Sequence, residues 1–122
     1  MPGAGYSRTI KIKPRLRTEQ VVISQVLPPM TGIRIERPIP VNGTITSIVL
    51  HFPGGCNALV DVSVGHGVKQ MCPSTGVIAL DAATPMIPTS ERVETSEVLW
   101  AVIANGDMVN PHTITVIATI EA

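Results

Sequence analysis

Aromatic residues are nearly missing from this chain. Tyr6, Phe52 and Trp100 are the only three in 122 residues, 2% of a sequence that is 44% hydrophobic. Modules that bind sugars or single-stranded nucleic acid stack their ligands on several exposed rings, so the scarcity counts against both roles. No apolar run approaches the ~18 residues of a transmembrane helix, and no N-terminal apolar stretch has the make-up of a secretory signal. No membrane contact is therefore expected. Cysteine is as scarce: Cys56 and Cys72 are the only two. They could form one disulfide, but only in an oxidising compartment and only if the fold brings them close. Two buried free thiols, behaving as small apolar side chains, are the favoured reading. There is no C-x-x-C and no histidine at zinc-finger spacing from either cysteine. No window carries a sustained i, i+3, i+4, i+7 apolar pattern, and no repeat of fixed period is visible.

What the chain does contain is β-branched residues. Val (15), Ile (14) and Thr (12) make up a third of it, against six Leu. Disordered chains are poor in such residues, and the length suits one domain with one core.

These residues fall into alternating runs of period two. In Thr44–Phe52, Ile48, Leu50 and Phe52 share a face with Thr44 and Thr46, and Ile45 and Val49 take the other. Asn42-Gly43 precedes this run as a turn signal and Pro53-Gly54-Gly55 ends it. Val60, Val62 and Val64 alternate with Asp61 and Ser63, which defines a half-buried strand. Short runs follow at Val68–Met71 and Gly76–Leu80. Residues 83–97 break the pattern and read as a long surface loop, with one helical turn near Thr89–Arg92. In Ser96–Ala104 both faces are apolar, which predicts a central strand covered on both sides. His112–Ile120 alternates cleanly, Glu19–Leu27 and Gly32–Arg37 less so, and Thr9–Lys13 puts Ile10 and Ile12 on one face. Eight or nine short strands at this spacing, with prolines at their boundaries, predict an all-β antiparallel sandwich. A two-sheet jelly roll is the first choice and an immunoglobulin-like arrangement the second. The antibody type is disfavoured, because Trp100 follows both cysteines.

Charge is balanced overall but not along the chain. Residues 1–18 hold Arg8, Lys11, Lys13, Arg15 and Arg17 and no acid, whereas residues 19–122 hold four bases and nine acids. The domain plan is therefore a basic arm over 1–18 and a sandwich over 19–122. A solvated edge strand would explain the arm without function. The functional reading lays it on an acidic neighbour, such as an identical subunit, with Ile10 and Ile12 adding a strand and the charges meeting Glu91, Glu94 and Glu97. Nucleic acid is the weaker partner.

Sites for chemistry are sparse. His51, His66 and His112 lack the H-x-H pair of a cupin-like metal centre, and Cys56, His66 and Cys72 could only meet through the fold. Cys56 or Cys72 with a histidine and Asp61 or Asp81 would need a structural context that nothing marks. Glu91, Glu94 and Glu97 are spaced like a solvated face, not like paired glycosidase carboxylates. Pro53–Asn57 is glycine-rich but joins two strands, which suits a hairpin better than a phosphate loop. Trp100 belongs either to the core or to an apolar contact patch. No cofactor, metal or catalytic residue is expected.

Several segments resemble small β-sandwich proteins of phages and other viruses. They are Ile45–Cys56, Leu59–Val62, Gln70–Ser74, Leu80–Pro85 and Pro111–Val116. The resemblance covers about two-thirds of the chain and excludes the arm. It implies a virion-surface or capsid decoration protein, typically a homotrimer capping a lattice of major capsid protein. The reading is then a structural, non-catalytic protein that assembles with neighbouring subunits. A carbohydrate- or ligand-binding sandwich and a cupin-like metalloenzyme stand as alternatives.

Overall fold

The structure, a computed structural model, describes residues 17–122. The predicted strand at Thr9–Lys13 lies outside them. Eight strands are present among the described residues: β1 Thr18–Leu27, β2 Thr31–Pro38, β3 Gly43–His51, β4 Val60–His66, β5 Lys69–Cys72, β6 Met86–Val93, β7 Val98–Asn105 and β8 His112–Glu121. They form two four-stranded sheets with orders β1-β8-β3-β6 and β2-β7-β4-β5. Every pairing is antiparallel. First pairs with eighth, second with seventh, third with sixth and fourth with fifth, as in one long hairpin rolled into two layers. That connectivity is the jelly roll.

The layers meet over a core of β-branched side chains. Ile23, Ile45, Ile48, Val60, Val62, Ile103, Ile114, Val116 and Ile120 are fully buried, and Phe52 is the only aromatic ring among them. The β8 alternation places Ile114, Val116, Ala118 and Ile120 inward, as its sequence predicts.

The structure corrects four readings. Residues 83–97 are not a loop with a helical turn: β6 occupies most of them, and the amides of Leu50 and Phe52 donate to the carbonyls of Pro85 and Ala83. Pro88 hid this strand. It is tolerated because β6 is an edge, where a proline nitrogen can face away from the only neighbour. In β3 the facing changes midway. Ile45 opposes Ile120 and Ser47 opposes Thr119, so Thr46 is an extra residue, and Ile45 and Ile48 both point inward. The hydroxyl of Thr89 donates to the carbonyl of Ile45 at 2.7 Å beside this bulge. Gly76–Leu80 forms no strand, only a bridge between Ile78 and Val62. Finally, β7 is central in its sheet but not covered on both sides. Val102 remains 37% exposed on its outer face.

The two outer faces differ in where their charges lie; on the β1-β8-β3-β6 face Glu121 and Arg92 are confined to the end row with Thr18 and Thr44. The β2-β7-β4-β5 face carries Arg34, Glu36 and Asp61. On the other sheet, the register lines up Val22, Ile117, Val49 and Met86 across all four strands. Beside this row lie Gln20, Thr119, Ser47 and Pro88; on its other side lie Ser24, Thr115 and His51. None of these residues is Asp, Glu, Lys or Arg.

Candidate functional site

Two polar clusters stand at opposite ends of the sandwich. The first is at the end from which residues 1–16 depart. Thr18 pairs with Glu121, and the amide of Ala122 donates to the carbonyl of Arg17. Arg8, Ile10, Lys11, Ile12, Lys13 and Arg15 lie outside the described residues. Arg17, the one basic arm residue within them, bonds Glu19 at 2.7 Å. Both partners are on the surface, so the pair contributes about 0–1 kcal/mol.

At the same end, His66 closes the gap between the sheets. Its Nδ1 lies 3.0 Å from a Glu97 oxygen and its Nε2 3.0 Å from a Glu91 oxygen. Carboxylates only accept, so both bonds form when both ring nitrogens carry a proton. Lys69 adds a contact to Glu91 at 2.8 Å. The bond from Lys69, then that from His66, holds the Glu91 carboxyl below its ordinary range. The His66 bond, then the Glu94 amide, does the same for Glu97. Glu91 and Glu97 are therefore not a solvated face. They are turned onto a buried histidine, and only Glu94 of the three is exposed. Their convergence spans two sheets, and no local spacing announces it.

The second cluster fixes the β7–β8 connection. The Asn105 amide nitrogen lies 3.1–3.2 Å from the carbonyls of Leu27, Pro28 and Asn110, and its oxygen accepts from the Asp107 amide. Asp107 accepts from the amides of Val109 and Asn110, and from His112 Nε2 at 2.8 Å. The Val109 amide, then His112 and the Asn110 amide, bring its carboxyl down to about 2. Asn105-Gly106-Asp107 is legible as a turn; the capture of His112 five residues on is not.

The sign of the pH dependence follows. In the unfolded chain Asp107 takes up its proton near pH 3.9, and in the fold only near 2. The unfolded state thus binds the proton first on acidification. The stability contributed by Asp107 is complete above about pH 5 and lost as pH falls from about 4 towards 2. Glu91 and Glu97, lowered in the same direction, steepen this loss. The urea midpoint is expected to fall over that window, and less steeply in Asp107→Asn. An Asp107→Asn profile parallel to wild type would contradict the assignment.

Cys56 and Cys72 are buried and unbonded to each other. Burial, then the neighbouring charges of Asp81 and Asp107, pushes the Cys56 thiol up; burial alone raises Cys72. A raised, buried thiol is a poor nucleophile. The Pro53–Asn57 turn, with Gly55 at φ 100°, aims the amides of Gly55 and Asn57 at Asp81 Oδ1, at 2.9 and 3.0 Å. The chain's own carboxylate therefore occupies the place an anion would take.

Trp100 is neither core nor open patch. It lies on the outer face of its sheet, 7% exposed. A Cβ at Gly65 would run into its ring, its Nε1 donates to the Gly67 carbonyl at 3.0 Å, and the Arg34 guanidinium sits 4.7 Å from its centroid. With Phe52 buried, no described aromatic ring is open for stacking a sugar or base. Among the described residues no three His, Cys, Asp or Glu converge as metal ligands, and no pocket is present.

Fold and clusters together define an eight-stranded jelly-roll domain with closed polar clusters at its two ends. No protein-family model, curated protein or solved structure matches the chain.

Proposed function

We propose that this protein is a non-catalytic structural component of a virion, a capsid decoration or cement protein that assembles with its own kind and with neighbouring capsid subunits. One observation carries the reading: the charge split between arm and body, set at one end of a jelly roll. Residues 1–16 contain four bases and no acid, whereas residues 17–122 contain five bases and nine acids. The arm departs beside Glu19 and Glu121, with strand pairing between Thr18 and Glu121 fixing its origin. A basic segment leaving a rigid acidic block suits contact with the acidic surface of another subunit. Its charges then govern encounter and register more than affinity. The jelly roll itself serves capsid proteins, lectins and cupins alike, so it supports the scaffold role only by analogy. The homotrimer and the virion location come from the resemblance of the strand segments to viral sandwich proteins.

The test is sedimentation of the full chain at low and high salt, beside a variant with Arg8, Lys11, Lys13 and Arg15 all changed to Glu. The wild type is expected to sediment above its 12.9 kDa chain mass as an assembly that shrinks with salt, because screening weakens exposed charge contacts. The variant should not form the salt-sensitive assembly. A variant that assembles as the wild type does would refute the arm's role.

A further inference from the structure

We infer that the outer face of the β1-β8-β3-β6 sheet is a contact between two copies of this chain, packed sheet against sheet about a two-fold axis. The inference rests on the assembling role proposed above and assigns the surface that the arm does not explain.

The face is unusual for a free surface. Its middle row, Val22, Ile117, Val49 and Met86, crosses all four strands; Val22 is 49% and Met86 66% exposed. The rows beside it hold hydroxyls, an amide, one proline and one imidazole, and no formal charge between Gln20 and Val26. Charged residues are depleted at the centres of interfaces. The opposite outer face, with Arg34, Glu36 and Asp61, shows that a solvent-facing sheet in this same molecule does carry charges.

A second copy is the occupant that this chemistry fits. In a two-fold contact a patch meets itself, so any net charge would meet its like. A charge-free patch avoids that cost. The hydroxyls of Thr115, Thr119, Ser24 and Ser47 each donate and accept, so they match their own kind, as Ser24 and Thr115 already do at 3.1 Å within the sheet. The row of apolar side chains, also self-matching, supplies the area. A lipid surface would instead call for a cluster of basic residues around the patch, and the face holds one, Arg92, set in the same end row as Glu121.

The size suits a weak, reversible contact. Four strands at ~4.8 Å and seven residues at ~3.3 Å give the face, its end row of Thr18, Glu121, Thr44 and Arg92 included, a projected area of roughly 450 Å². Two copies then bury roughly 900 Å² before side-chain relief is counted, just below the ~1,000 Å² at which stable specific interfaces begin. Two sheets in such a contact align within about 30° of each other, as inside a sandwich.

The experiment separates this contact from the arm. The full-length chain with Arg8, Lys11, Lys13 and Arg15 changed to Glu is sedimented in about 1 M salt, where charge contacts are screened. A species of twice the 12.9 kDa chain mass is expected to persist. Adding Ile117→Lys, or separately Val22→Lys at the β1 end of the row, should weaken that pairing by about a hundredfold or more, since each puts like charges face to face. Circular dichroism and the urea midpoint of each variant establish that it is folded. A single-chain species in the arm variant overturns the face contact and leaves the arm reading standing. A pair that survives both lysine substitutions in folded protein also overturns it. An arm variant that assembles fully with salt sensitivity intact refutes the arm reading instead.

Discussion

Phe52→Ala is expected to lower the unfolding free energy by about 4 kcal/mol, within the range for deleting a buried phenylalanine. Phe52 is fully buried and, among the described residues, is the only aromatic in a core otherwise built largely of Val, Ile and Leu. Its neighbours are what make the loss large. Val and Ile have one strongly restricted χ1 torsion, so they cannot swing into the space that the ring vacates. A core of long, flexible side chains would collapse around the cavity; this one is expected to keep it. The amide and carbonyl of Phe52 both pair with Ala83, which fixes the backbone at the same point and limits relaxation further. Urea unfolding is the measurement, with Phe52→Leu as the comparison that retains most of the volume. A loss below about 1 kcal/mol for the alanine variant would show that the core repacks.

Asn105→Ala follows, with an expected loss of about 3 kcal/mol. The side chain is buried, and it joins the end of β7 to Leu27 and Pro28 on one side and Asn110 on the other. Truncation leaves three carbonyls and the Asp107 amide short of a partner, and an unsatisfied buried group costs about 1–3 kcal/mol. Water admitted at this end recovers part of that, so the total falls below the sum of the separate costs. Thermal unfolding should drop by roughly 10 °C for a chain of this size. Asn105→Asp should be at least as damaging, because a carboxylate would replace the donating amide among three carbonyls. A variant as stable as the wild type would mean that the β7–β8 connection is held by backbone contacts alone.

How much of this was readable from the residues depends on whether the deciding interaction is local. The β8 strand was legible because Ile114, Val116, Ala118 and Ile120 alternate with Thr and Ile without interruption. The valines of β4 were legible for the same reason. In β3 the alternation misled, since one bulged residue at Thr46 reverses the parity of everything before it. A bulge is decided by the partner strand, which a linear pattern does not contain. Strand β6 was lost to Pro88, which excludes a central strand but not an edge, and edge position is a property of the sheet. The functional residues divide the same way. The Asn105-Gly106-Asp107 turn could be seen; the His66 contacts to Glu91 and Glu97 could not, because they join residues 25 and 31 positions apart in two different layers. The charge-free rows of the outer face needed the register of four strands before they could be assembled at all.

The rolled-hairpin connectivity has one further consequence, for the order in which the molecule is made. Among the described residues β1 has β8 as its only ladder partner, and Thr18 meets Glu121 across almost their whole length. During synthesis β1 leaves the ribosome well before β8, and it has no ladder to join until β8 has emerged. Such distant pairings make folding slow and leave apolar edges exposed in the interval. Val21, Val22 and Ile23 are then an aggregation hazard for as long as β8 is missing. The positive charges immediately preceding β1 would keep nascent chains apart during that wait.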